Sequence, residues 1–323
     1  MQIVIKNSIL KILPVIDAIL SPFMWLSGWA LFVIRRIGLH RFPLIQSIFK
    51  KIGILPIRNH YYEALCYPEQ LRHDLNKVRN LPGIDLNETE QLALLGAFQY
   101  QEELKQYPLK SDGVKPFFYQ NNFFEAGDAE IYYNMIRHYK PGKIIEIGSG
   151  FSTFMAVDAI SKNKQDNPSY NGKITCIEPF EHPELEQFDI SVVRKQVETL
   201  EPEYFDILES GDVLFIDSSH VIRPQGDVLY EILEVLGRLK SGVIVHIHDI
   251  FTPRDYRFGT LFEAQYFWNE QYMLEAFLSY NTQYKLLCAV NHLHKTYPEA
   301  LKQACPNLAH YDSDPCSFWI QKI

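Results

Sequence analysis

Apolar runs alternating with helical patterns over residues 116–323 predict an α/β fold, a doubly wound and mostly parallel sheet with helices on both faces. Two further observations support it. The stretch "IIEIGSGFST" joins an apolar run to a helix through a glycine-rich turn, and acids close or follow the runs at Glu146, Glu178 and Asp217. Ligands of such sheets bind at this edge.

The chain opens differently. "AILSPFMWLSGWALFVI" (18–34) has no charge, carries Trp25 and Trp29, and is followed by Arg35, Arg36, His40, Arg41, Lys50, Lys51 and Arg58. As a helix these residues reach about 25 Å, the short edge of a membrane span, with Asp17 and Pro22 against that reading. Two main readings stay open for residues 1–60, beside a lesser third, a processed targeting segment. One is an apolar helical arm packed on the main domain or on a second subunit, which would make a homo-oligomer. The other is an anchor that meets a membrane surface through residues 8–58, its cations at the cytosolic headgroups.

A helical lead-in is expected over 61–115, where Asn87 with Glu90 three residues later gives a capping signal. Pro82-Gly83 and Ser111-Asp112-Gly113 are the expected linkers. "AGDAEIYYNMIRHY" reads as an amphipathic helix capped by Asp128 or Gly127. Strands are expected at 143–147, 173–177, 190–193, 213–216, 242–247, 284–290 and 317–321, with helices at 151–162 and 228–239 between them.

Composition excludes some classes. A net charge of -8 argues against a nucleic-acid partner, because phosphate neutralisation needs a basic surface. Five cysteines without a Cys-x-x-Cys pair indicate neither a disulfide framework nor a zinc ribbon, and place the chain in a reducing, cytoplasmic compartment.

The turn Gly148-Ser149-Gly150 brings bare backbone against whatever lies over the strand ends, since glycine has no Cβ. A dinucleotide fingerprint would read Gly-x-Gly-x-x-Gly, whereas the run here is Gly-Ser-Gly-Phe-Ser-Thr. Glu146 before the turn would repel a pyrophosphate and suits a cationic group. Glu178, in "ITCIEPF", is placed to take both hydroxyls of a ribose. S-adenosyl-L-methionine fits this pattern better than a dinucleotide. Further on, "IDSSH" holds Asp217 and His220 and "HIHDIF" holds His246, His248 and Asp249. The two motifs close adjacent strands, so Asp217, His220, His248 and Asp249 should meet at one rim beside the turn, while His246 reads as a core histidine hydrogen-bonded at the sheet end.

"IIEIGSGFST" with "CIEP" resembles the class I S-adenosylmethionine-dependent methyltransferases. "DVLFIDSSHVIRPQGDVLYEILEVLGRLKSGVIVHIHDIF" is similar to the subgroup of macrocin-type sugar O-methyltransferases and cephalosporin-hydroxylase-like proteins. The resemblance covers about residues 117–323. It implies strand order 3-2-1-4-5-7-6 with the last strand antiparallel, and a methyltransferase domain over 116–323. Carried over by position, it implies that Glu146, Gly148, Ser149, Gly150, Ser152, Thr153 and Glu178 bind the cofactor. It further implies that Asp217, His248 and Asp249 hold Mg2+ or another divalent metal, and that His220 is the general base. One departure is His248, which stands where a carboxylate is expected and is a poorer magnesium ligand.

The expected activity is O-methyl transfer to a hydroxyl of a saccharide or a glycosylated, lipid-linked acceptor. The alternatives are a hydroxylase-like metalloenzyme and a membrane-tethered binding module with a vestigial pocket. "FTPRDYRFGTLFEAQYFWNEQYMLEAFLSY", with its aromatics and Arg254, is the expected lid or acceptor wall, or a helix packing its aromatic side on the core.

Overall fold

The computed structural model describes residues 2–181, 183–311 and 313–323. The chain divides into two compact units, Met1–Arg72 and His73–Ile323. In the first, helix α1 (Gln2–Ile37) runs through Pro14 and Pro22. Its stretch Lys11–Ile37 is long and apolar enough to cross a membrane. Helix α2 (Pro43–Ile52) starts with proline at its first position and stops at Gly53, whose φ of 78° suits a residue without Cβ. Leu44, Ile48 and Ile52, spaced four apart, are exposed along one face of α2. Arg35 and Arg58 both pair with Glu63 at 2.8 Å.

The second unit begins with α3 (Glu88–Ala97), where the Asn87 amide donates to Glu90 at 3.1 Å, and a short α4 (Gln101–Leu104). Helix α5 (Asp128–Tyr139) follows, capped by Gly127. Then come β1 (Lys143–Ile147), α6 (Phe151–Asp166), β2 (Lys173–Ile177), β3 (Ser191–Val193) and β4 (Val213–Ile216). Helix α7 (Asp227–Tyr230) continues as a wider turn to Val235 and a tighter one to Arg238, filling the span expected to be one helix. Strand β5 (Ile244–Ile247), α8 (Glu270–Leu278), β6 (Tyr284–Ala289), α9 (Val290–Thr296), α10 (Pro298–Ala304) and β7 (Phe318–Lys322) complete it. The fifth strand starts later than expected. Gly242 sits at φ 88° in close approach to Ser210, and extended pairing begins only beyond it.

The seven strands form one sheet of order β3-β2-β1-β4-β5-β7-β6, with β7 antiparallel to both neighbours. Side chains alternate across it. Ile144, Phe215, Ile244 and Trp319 enter the core on one face, and Ile145, Leu214, Val245 and Ile320 the core on the other. Register then positions the site. Ile147 pairs with both Ile177 and Ile216, and Ile216 with Ile247, so β2, β1, β4 and β5 end at one level. The next residues, Glu178, Gly148, Asp217 and His248, are therefore neighbours at the carboxyl edge.

Candidate active site at the carboxyl edge of the sheet

The turn after β1 is built tightly. Gly148 has φ 78°, and a Cβ there would lie 2.1 Å from the Asp217 carbonyl oxygen. Only glycine fits between these two strand ends. The Gly150 N–H donates to Thr153 Oγ1 at 3.0 Å, and the Thr153 hydroxyl donates to Glu146 Oε2 at 2.6 Å. Glu146 is fully buried, and burial pushes its pKa up to about 7. Both Glu146 and Thr153 thus brace the turn from behind. Across from it, Glu178 accepts from the Ser149 N–H at 3.2 Å and the Phe180 N–H at 2.9 Å.

A cavity of about 310 Å³ opens over this turn, lined by Gly148, Ser149, Gly150, Ser152, Glu178 and Asp217 among others. A Cβ built on Gly150 meets nothing within 4 Å, so the backbone leaves room for a ligand there. An open glycine turn facing a carboxylate fits the adenosyl and ribose portions of S-adenosylmethionine, the carboxylate being a two-oxygen acceptor for hydroxyl donors.

The second cavity, about 480 Å³, holds Asp217, His220, His248 and Asp249 on its wall, and shares Phe123 and Asp217 with the first. The structure brings together the four residues expected to meet. His220 Nε2 lies 3.3 Å from Asp217 Oδ1 and 3.5 Å from Asp249 Oδ2. His248 Nδ1 lies 3.7 Å from each of the same two oxygens. His220 and Asp249 adopt φ of 59° and 56°, in the left-handed region that few residues other than glycine enter and where Asn, Asp and His are the commonest exceptions.

Charge is balanced across this rim. Burial opposes the charged form of His220, but Asp217, Glu270 and Asp249 outweigh it and hold its pKa well above the ordinary value. Burial likewise works against ionised Asp249, and His248 and His220 outweigh it, keeping that carboxyl well below its usual range. His246 lies apart from the rim. It is fully buried, stacks on Phe215 at 4.0 Å and meets Ser317 Oγ at 2.9 Å, and burial lowers its pKa, so it is a neutral core residue.

Several rim residues lie outside the expected set. Glu270 holds His220 Nδ1 at 2.8 Å and Asp128 lies 3.6 Å from His248 Nε2. From the expected acceptor wall, Arg257, Thr260, Tyr266 and Trp268 line the cavity, while Phe251 and Tyr256 are buried core. Arg254 is not among the lining residues. Its carbonyl accepts from Arg79 and Gln271, which ties the segment down. Asp217, His248 and Asp249 offer ligand atoms within 4.8 Å of one another, a donor set that fits a divalent ion.

Comparison with known proteins places a methyltransferase domain on this part of the chain. The family model for a methyltransferase domain matches residues 145–250, from within β1 to just past Asp249. An uncharacterized protein of Archaeoglobus fulgidus is 30% identical over 181 residues, covering 51% of this chain and 79% of its own. A solved Plasmodium falciparum structure, described as a protein-L-isoaspartate O-methyltransferase in complex with S-adenosyl-L-homocysteine, is 12% identical. The match covers 49% of this chain and 83% of that one, with a TM-score of 0.28, too low to bear on the site.

Proposed function

We propose that this chain, which belongs to the class I S-adenosylmethionine-dependent methyltransferases, methylates a hydroxyl oxygen of a saccharide or of a glycosylated, lipid-linked acceptor. The observation that carries this reading is the shared wall of the two cavities. Asp217 lines both, so a group bound over the glycine turn adjoins the His-Asp rim.

S-adenosylmethionine supplies a methyl group already activated by its sulfonium. The chain's part is to seat the cofactor on Gly148, Ser149, Gly150 and Glu178, to align the acceptor oxygen, and to take its proton. His220, its ring fixed through Nδ1 by Glu270 with Nε2 facing the rim, takes the proton when its ring is neutral, which in the cation-free site the surrounding carboxylates confine to pH well above the ordinary imidazole range. A divalent cation between Asp217, His248 and Asp249 would lower the hydroxyl's pKa. Tyr266 and Trp268 on the acceptor side offer faces for a sugar ring.

Glu178→Ala is expected to weaken S-adenosylmethionine binding by about 1–3 kcal/mol, the range for losing hydrogen bonds to a charged group. Wild-type affinity in a folded variant would remove Glu178 from the cofactor site.

The same proposal includes attachment to the cytosolic face of a membrane. Trp25, Trp29 and Phe32 stand exposed along α1, ahead of Arg35 and Arg36. Interfacial aromatics followed by cations match the membrane boundary on the cytosolic side. Full-length protein should co-sediment with anionic liposomes, and protein beginning at Asn59 should not. If the full-length chain stays monodisperse without detergent and ignores liposomes, the anchor reading fails.

A further inference from the structure

We propose that His220 is the fourth ligand of a two-histidine, two-aspartate site for a divalent transition-metal ion, completed by Asp217, His248 and Asp249. The inference rests on a cation lying at the rim and is independent of what the acceptor is.

Geometry points there first. Two ligand atoms each about 2.1 Å from a tetrahedral ion lie roughly 3.4 Å apart. The four imidazole–carboxylate separations at the rim are 3.3, 3.5, 3.7 and 3.7 Å, and they involve one oxygen from each aspartate, Asp217 Oδ1 and Asp249 Oδ2. Each nitrogen lies within 3.7 Å of both oxygens.

The outer contacts form a second, independent observation. A histidine that binds a metal through one nitrogen normally gives the other N–H to a carboxylate, which fixes its tautomer and makes it a better donor. His220 is backed in this way by a hydrogen bond, and His248 has a carboxylate near its second nitrogen, in the opposite sense. His220 turns Nδ1 to Glu270 at 2.8 Å and Nε2 to the rim, while His248 turns Nε2 toward Asp128 at 3.6 Å and Nδ1 to the rim. The two backing carboxylates are buried, with 1% and 4% exposure. Asp128 already accepts from the backbone N–H groups of Cys316 and Ser317, at 2.9 and 2.7 Å, so it serves as an anchor. Its grouping with His248 and Cys316 is therefore the outer layer of this site.

Two imidazoles change the ion. Carboxylate and water oxygens suit magnesium, whereas imidazole suits zinc, iron, cobalt and nickel. The site should select a transition ion over Mg2+, and His220 should be a ligand in the loaded protein.

Cobalt(II) titration of the full-length protein tests this, read by the visible absorption of the bound ion and by metal content after gel filtration. One cobalt per chain is expected, undiminished by excess Mg2+. Glu270→Gln should cost about 10–100-fold in cobalt affinity, the range for a lost outer-layer partner, and His220→Ala more than that. His220→Asn, in which asparagine tolerates the left-handed backbone, should lose affinity equally and guards against a folding defect. S-adenosylhomocysteine binding serves as the independent control. If it persists in these variants while cobalt binding is lost, the site stands. Unchanged cobalt affinity in folded His220→Ala and His220→Asn would overturn the ligand assignment, as would a wild type that takes up no cobalt. Loss of S-adenosylhomocysteine binding in the wild type would count against the methyl-transfer reading alone.

Discussion

His220→Ala is expected to lower methyl transfer by about 10²–10⁴-fold while leaving S-adenosylhomocysteine affinity nearly unchanged, the range for removing a positioned proton acceptor. The separation follows from geometry. His220 lines the acceptor-side cavity and is absent from the wall over the glycine turn. Its ring is packed against Trp268, at 4.5 Å between centroids, so the alanine variant also loosens that wall. His220→Asn keeps the backbone conformation and should show the same rate loss. Initial rates of S-adenosylhomocysteine release, measured beside a cofactor titration, give both quantities. A variant that turns over at the wild-type rate would take the chemistry away from this rim.

Gly148→Ala should have the larger effect on binding. The left-handed backbone alone costs a non-glycine residue about 1–2 kcal/mol. The added Cβ would also lie 2.1 Å from the Asp217 carbonyl oxygen, a backbone atom at the end of the neighbouring strand. Relief requires β1 and β4 to separate at their ends, which displaces the turn and the first rim residue together. Cofactor affinity is expected to fall by at least about tenfold, a change of 1.4 kcal/mol, with a lowered thermal unfolding midpoint. An alanine variant with wild-type affinity would mean that the turn is not the cradle.

Much of this site was legible in the sequence because strand ends are. Fully buried apolar runs stand out, and their parallel register places the following residues side by side, so Gly148, Glu178, Asp217 and His248 needed only the strand order to become neighbours. Side-chain depth was less legible. Thr153 and Glu146 carry the residue types of ligand contacts, yet the first turn of α6 rotates Thr153 toward the buried Glu146 and leaves Ser152 at the cavity.

The backing carboxylates were not legible at all. Glu270 meets His220 across 50 residues of chain, and Asp128 gave only the signal of a helix start. Nothing in local spacing tells which acid returns to which histidine. The wall segment shows the same limit. Its aromatics and arginines announce a binding surface, but the packing of Phe251 and Tyr256 into the core decides that Arg257 and not Arg254 reaches the cavity.

The central claim is that the cofactor lies on the Gly148–Gly150 turn, beside the rim. Calorimetric titration of S-adenosylhomocysteine into folded wild-type protein and into Gly148→Ala tests it most directly. The account predicts saturable binding of one molecule per wild-type chain and a loss of at least about tenfold in the variant, the 1.4 kcal/mol argued above. A folded wild type that binds none, or a variant that binds as tightly as the wild type, would contradict it.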